Sequence, residues 1–212
     1  MLYQSKVTLI NKMDGIFSQI NPGDVIAFSG NGLDSRIIRW FTRSPYSHVG
    51  IVLDNKYPNK QGEDILIAES TTYTIVPDFQ EQKSLKGVQV HWLSHRLDFY
   101  KACGRAWWFP LEQQLSHDII SQMQSWLWHL YESQTPFSTR KSIGAWLAKN
   151  KYFDAEGKKK LSQSSAGLFC SELVAEALQI AGIIDSKLNP AAHTPGDLVN
   201  LECFREPTLI LP

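Results

Sequence analysis

The chain has no charge excess of either sign: 21 Lys and Arg stand against 21 Asp and Glu across 212 residues. Domains that grip nucleic acid carry surplus cations to neutralise phosphates, so no nucleic-acid partner is expected. Long apolar runs are missing too. No stretch approaches the ~20 residues a bilayer-spanning helix needs, so no integral membrane segment is expected. The opening residues, MLYQSKVTLINKMDGIF, lack the apolar core and small-residue cleavage site of a secretory signal, which points to a cytoplasmic location. Cysteine is scarce. Cys103, Cys170 and Cys203 are an odd number without a C-x-x-C pair, which fits neither a disulfide framework nor a zinc ribbon. A phosphate-cradling loop is absent as well, because Gly30-Asn31-Gly32 is followed neither by Lys-Ser/Thr nor by a correctly spaced glycine. Neither a metal nor an organic cofactor is expected.

What remains is an ordinary globular complement, 43% hydrophobic and 20% charged, with an unusually high seven Trp. No repeat or linker divides the chain, and its length suits one domain, 1–212, with its own core. The turn signal Asn21-Pro22-Gly23-Asp24 precedes a buried strand over 25–28. Further strands are expected at 48–53, 64–70, 87–92 and 102–109, the second and third joined by a polar loop over 55–63. Asn31 or Asp34 would cap a short helix whose apolar residues Ile37, Ile38, Trp40 and Phe41 recur at helical spacing, with Ser44-Pro45 ending it. Over 116–131, Ile119, Ile120, Met123, Leu127, Leu130 and Tyr131 form one stripe of an amphipathic helix. Residues 133–165 read as polar and irregular, with a short helix near 143–147 and a solvated run at Lys158-Lys159-Lys160. From Phe169 the residues Leu173, Val174, Ala177, Leu178 and Ala181 mark a core-facing helix stopped at Gly182. Strands first and helices mostly later predict an α+β fold with an antiparallel sheet.

Three residues draw attention for chemistry. Cys170 falls at the start of the last long helix, where unpaired backbone N–H groups and the positive helix end favour a thiolate. A cysteine nucleophile needs a base, usually His, and a group that orients the imidazole. His48 heads one predicted strand, from which it could aim at a groove, although a structural His would read the same way. Glu69 ends the next apolar run, ILIAES, where a carboxylate needs a partner. If the two strands are neighbours, Glu69 could accept a hydrogen bond from His48.

The other candidates are weaker. His91 and His95 have the i,i+4 spacing of a zinc helix, but GVQVHW reads as strand, which puts such residues ~13 Å apart. His117 and His129 on the amphipathic helix and His193 in the tail read as surface or capping residues. Asp24 reads as holding the Gly23 turn, Glu172 as a favourable first-turn acid, and Cys103 and Cys203 as structural.

GDVIAF, SPYSHVGIVL, a strand bearing Glu, FCSELV opening a helix and TPGDL near the end, in that order, resemble the permuted NlpC-type papain-like family, also called YiiX/YebB-like. The resemblance runs from about Pro22 to about Leu198. It implies a circularly permuted papain-like fold, in which a small antiparallel sheet or barrel packs against helices that include the nucleophile helix. His48 precedes Cys170 by 122 residues, the permuted order. It also implies a catalytic triad of Cys170 as nucleophile, His48 as base and Glu69 as third group. Pro136-Phe137-Ser138 departs from the usual turn before the Cys segment, and 138–166 reads as an insertion. The implied activity is that of a cysteine peptidase or amidase: hydrolysis of an amide bond in a peptide or amino-acid conjugate through a thioester acyl-enzyme. Two alternatives stand beside it, an acyltransferase of the lecithin retinol acyltransferase-like type using the same Cys/His pair on lipid or ester substrates, and a non-catalytic groove-binding module. Expected partners are a small peptide, an amino-acid conjugate or an acyl substrate, with the chain a monomer or homodimer.

The tryptophans pose a separate question. Trp107 and Trp108 are neighbours in a strand and must take opposite faces. Trp128 lies well round its helix from the Met123/Leu127 stripe. Either the 133–165 segment covers Trp128, or Trp128 lines a substrate groove or a homodimer contact.

Overall fold

The computed structural model describes residues 15–59, 62–82, 85–138 and 167–212. Six strands, β1 (Val25–Gly30), β2 (His48–Asn59), β3 (Gly62–Thr71), β4 (Gly87–Trp92), β5 (Gly104–Phe109) and β6 (Thr208–Leu211), form one sheet in the order β4-β3-β2-β1-β5-β6. Every pairing is antiparallel. The helices are α1 (Leu33–Thr42), α2 (Leu93–Lys101), α3 (His117–Glu132), α4 (Cys170–Ile180) and the short α5 (Pro195–Val199). The architecture is therefore α+β, a sheet packed against helices. Among the described residues, no helix is long and apolar enough to cross a membrane.

Strand alternation sends successive side chains to opposite faces, and here both faces are buried. On one face Val25, Ala27, Val49, Ile51, Leu66, Ala68, Val88 and Val90 meet Met123 and Leu127 of α3 and Leu173, Val174, Ala177 and Leu178 of α4. On the other face Ile26, Phe28, Val52, Ile65, Ile67, Ala106 and Trp108 meet Leu93, Leu97 and Tyr100 of α2. Complete burial of each Val, Leu or Ile is worth ~1.5–3 kcal/mol, so both layers hold the sheet. α4 is the central helix: Cys170 through Ala175 are all buried. It stops where Gly182 takes φ 68°, a left-handed conformation that favours glycine.

The structure corrects several expectations. Within the polar loop expected over 55–63, residues 55–59 and 62–63 are strand: β2 and β3 pair onward through Tyr57↔Asp64 to Asn59↔Gly62, past irregularities that absorb register shifts. A two-stranded ribbon beyond the core needs only its own ladder, so polar residues suit it. Helix α1 takes Gly32 as its N-cap with no side-chain cap bond, so neither Asn31 nor Asp34 serves. Its Ile37 and Trp40 are not core, being 41% and 75% exposed; Ile38 is half-buried. Helix α2 and strand β6 were not anticipated. α2 follows β4 without a break and is only nine residues long; β6 is only four. Ser116 caps α3 as its position suggests, its Oγ accepting from the Ile119 N–H at 3.4 Å. The short helix expected near 143–147 and the lysine run lie outside the described residues.

Trp107 and Trp108 do take opposite faces, Trp107 toward the α3/α4 layer and Trp108 toward α2. Trp128 is half-buried, and its aromatic contacts are Phe79, Tyr131 and Tyr57, with ring centroids 5.2, 5.8 and 6.4 Å away. Tyr57 comes from β2, Phe79 from the loop after β3 and Tyr131 from α3 itself, while most of the 133–165 segment expected to cover Trp128 lies outside the described residues.

Candidate active site

The site lies where the two layers meet at one end of the sheet. His48 is the first residue of β2 and sits opposite Phe28 of β1. Extending the Ile51↔Ala68 register puts Gly50 across from Glu69 and His48 two residues further on, a diagonal pair on one face. Gly50 makes that approach feasible. A Cβ there would come within 3.2 Å of the Ala68 carbonyl and 3.4 Å of the Glu69 Cβ. The His48 ring meets Glu69 through Nε2, which donates to Oε2. Cys170 lines the same cleft and acts electrostatically on the ring.

Cys170 opens α4, whose entry is held from several sides. Ser70 Oγ donates to the Leu168 carbonyl at 2.6 Å, and Ser171 Oγ donates to the His193 carbonyl at 2.7 Å. The Phe169 N–H donates to Glu172 Oε2 at 3.4 Å, so Glu172 acts in the first turn as expected. Leu168 also bridges to Phe137, with the Leu168 N–H donating to the Pro136 carbonyl. The thiol therefore stands at a place fixed by β3, α4 and the Pro136–Ser138 segment together.

These residues open onto a cleft of about 100 Å³ lined by Ile38, Ser47, Thr72, Phe137, Phe169 and Pro195 around His48 and Cys170. His48 is 12% exposed at its side chain and Glu69 fully buried. Burial alone disfavours a charged His48 ring, but the Glu69 carboxylate and then Cys170 outweigh it, and the ring is pushed up to about 9. Burial likewise opposes ionised Glu69. The Arg96 guanidinium and then the His48 ring overcome that cost and hold the carboxyl well below the usual carboxylate range.

The structure thus brings together all three residues singled out from the sequence, and adds others. Arg96 of α2, 1% exposed, places Nε 2.7 Å from Glu69 Oε1. His91 of β4, also 1% exposed, has Nε2 3.5 Å from the same oxygen. The His91 ring is otherwise engaged, with Nδ1 2.8 Å from the Pro77 carbonyl and Nε2 2.6 Å from Gln89 Oε1. Burial, reinforced by Arg96 and opposed by Glu69, holds His91 below its ordinary value. Arg96 had a sequence signal: Leu93, Arg96, Leu97 and Tyr100 fall at i, i+3, i+4 and i+7, a charge inside an apolar stripe. Such a charge needs a buried counterion.

The remaining candidates separate from this cluster. His95 is exposed on α2, far from forming a pair with His91. His193 is not a surface residue: it is 2% exposed, with Nδ1 2.8 Å from the Asn189 carbonyl. The short 3-10 turn Pro190–Ala192 folds this tail back onto α4 and hides the ring. Asp24 does more than hold its turn. Beside the Asn21 N–H it accepts from the Trp108 indole and the Leu111 N–H, each at 2.9 Å, tying β1 to β5. Cys103 and Cys203 are half-buried and free, and burial pushes both thiols up, Cys203 to about 11.

No family model matches the chain, and no curated protein is similar to it. Among solved structures it is similar in fold to one described as metalloprotein YiiX from Escherichia coli O157:H7, DUF1105. That likeness has a TM-score of 0.50 at 15% identity and covers 88% of this chain and 96% of that one. It is a likeness of fold.

Proposed function

We propose that the chain is a cysteine hydrolase of the circularly permuted papain-like type, cleaving an amide bond in a peptide or amino-acid conjugate. The observation that carries this reading is the Cys170–His48–Glu69 chain of contacts opening on one cleft. Protonated His48, stabilised by Glu69, supports a Cys170 thiolate that attacks the substrate carbonyl carbon. The oxyanion so formed faces the first-turn amides of α4, and His48 passes its proton to the leaving amine as the C–N bond breaks. Water then attacks the thioester while His48 takes its proton, and the C–S bond breaks to release the acid and the thiolate. A reducing compartment, the cytosol, suits a free thiol nucleophile with two further free cysteines.

A metal does not fit this cluster. YiiX is described as a metalloprotein, but here the donor atoms of Glu69 and His91 are spent: Glu69 faces Arg96 and His48, and both His91 nitrogens face oxygens. A guanidinium 2.7 Å from the carboxylate would also repel a cation. Among the described residues there is no group of three or more His, Cys, Asp and Glu side chains able to hold one.

Limited iodoacetamide labelling near neutral pH, read by peptide mass, tests the nucleophile. Cys170 should label first and should lose that preference in His48→Gln; faster labelling of Cys103 or Cys203 overturns the assignment. Intact-mass scanning with amide, ester and lipid acyl donors then identifies the acyl group trapped on Cys170. Release to added alcohol or amine rather than to water would reassign the protein as an acyltransferase. A reactive Cys170 that no donor acylates would leave the groove-binding role.

A further inference from the structure

Arg96 is the largest fully buried side chain among the described residues, and its charge is met by one carboxylate. Nη2 donates to Glu69 Oε2 at 3.2 Å while Nε stands 2.7 Å from Oε1, so the planar fork reaches both oxygens. The guanidinium carbon lies 5.7, 5.5 and 5.3 Å from the ring centroids of Phe28, Phe99 and Tyr100, which leaves it little room to move. A buried ion pair is an expensive way to fill a helix–sheet interface that Leu or Met would fill as well. Its location suggests why the cost is borne. Two imidazoles compete for Glu69: His48 at Oε2, and His91 with Nε2 3.5 Å from Oε1. A carboxylate in that enclosure could turn toward either ring or take up a proton.

Building on the reading of Cys170 and His48 above, we propose that Arg96 is a positioning residue. Its fork keeps Glu69 ionised and turned so that Oε2 meets the His48 ring, which leaves the second ring nitrogen aimed at Cys170. The other groups facing this centre are His91 from β4, Tyr100 from α2, and Cys170 from α4 through His48; Asp78 acts on His91. None of them spans both Glu69 oxygens as Arg96 does. Gln89 cannot substitute, because its amide is held by the Tyr73 and Leu85 carbonyls.

The test is the rate of Cys170 alkylation by iodoacetamide between pH 4 and 9, read by peptide mass, on variants whose cooperative unfolding has been verified. Arg96→Met should cut the neutral-pH rate by about tenfold and move the acid limb upward by about one pH unit, since Glu69 then protonates more readily. Arg96→Lys keeps a point charge but loses the fork. Its acid limb should stay in place while the rate falls about threefold. On a Glu69→Gln background, Arg96→Met should cost nothing further. A folded Arg96→Met with the wild-type rate and limb makes Arg96 a core filler and overturns the proposal. Should Arg96→Met not fold, Arg96→Lys decides: a profile identical to wild type overturns it. A wild-type Cys170 no faster than Cys103 overturns the enzyme reading and this one together. A fast Cys170 indifferent to Arg96 overturns this one alone.

Discussion

The two faces of the sheet are cut from the same strands, yet they are stabilised by different physics. The face under α3 and α4 is mostly apolar, its buried Ser70, Ser171 and Glu172 serving only to hold the entry of α4. The face under α2 has an apolar centre but encloses a charged cluster of Glu69, Arg96, His91 and His48 at one end. Apolar packing is non-directional and tolerates small shifts, whereas a buried ion pair requires its partner at a fixed distance and orientation. The candidate site draws on both: Cys170 comes from the apolar layer, and the groups that would orient its base come from the charged one. The lesson is a division of labour, in which the greasy face supplies a rigid helix and the charged face supplies a defined proton position.

Breaking the charged face should have the largest effect. Glu69→Ala leaves the Arg96 guanidinium buried without a counterion, and urea unfolding should show a loss of about 3–5 kcal/mol. A loss below 1 kcal/mol would mean that another group or solvent reaches the guanidinium, and the contrast between the faces would shrink. On the apolar face, Leu173→Ala should cost about 3 kcal/mol through lost burial and a residual cavity. That cost should be the same at pH 6 and pH 9.

The pH dependence sharpens the contrast. His48 has its folded value raised to about 9 from an ordinary 6.5. The folded state therefore holds this proton more tightly, and the resulting stability is complete below about pH 6.5 and lost as pH rises through 9. Glu69 has the opposite sign: its contribution is present above the ordinary carboxylate range and is lost only as pH falls well below it. Denaturant midpoints of wild type and His48→Gln should differ most near pH 6 and converge above pH 9. Parallel curves would remove His48 from the charged face. The smallest effect is expected from Trp128→Ala. Trp128 is half-buried against Phe79, Tyr131 and Tyr57, so the cost should be about 1–2 kcal/mol, short of the ~3–5 for a fully buried Trp. No change in stability, together with altered oligomeric mass by light scattering, would instead make it a contact between copies.

The elements that could be read in advance are those with a dense apolar run or a repeating stripe. Short apolar runs located β1 to β5, and the stripe through Met123 and Leu127 located α3. The start of α4 at Cys170 was legible because small and polar residues precede a dense apolar run. What escaped had a weak or misleading local signal. The outer ribbon of β2 and β3 is polar, because its ladder needs no core. The apolar periodicity of α1 suggested burial, but Ile37 and Trp40 face outward, since periodicity identifies a face without saying what covers it. β6 is too short to show a period and exists because β5 offers it an edge.

By itself, the order of residues determined that a cysteine would open a helix, that a histidine would head a strand and that a carboxylate would sit in an apolar run. These are statements about neighbours in the chain. Only the tertiary structure decided that β2 and β3 align His48 diagonally to Glu69, and that α4 brings Cys170 to the same cleft as His48. It alone decided that Arg96, 27 positions from Glu69, supplies the buried counterion. The reason is that pairing of charges in a low-dielectric interior depends on distance and angle in space, and neither is a property of spacing along the chain.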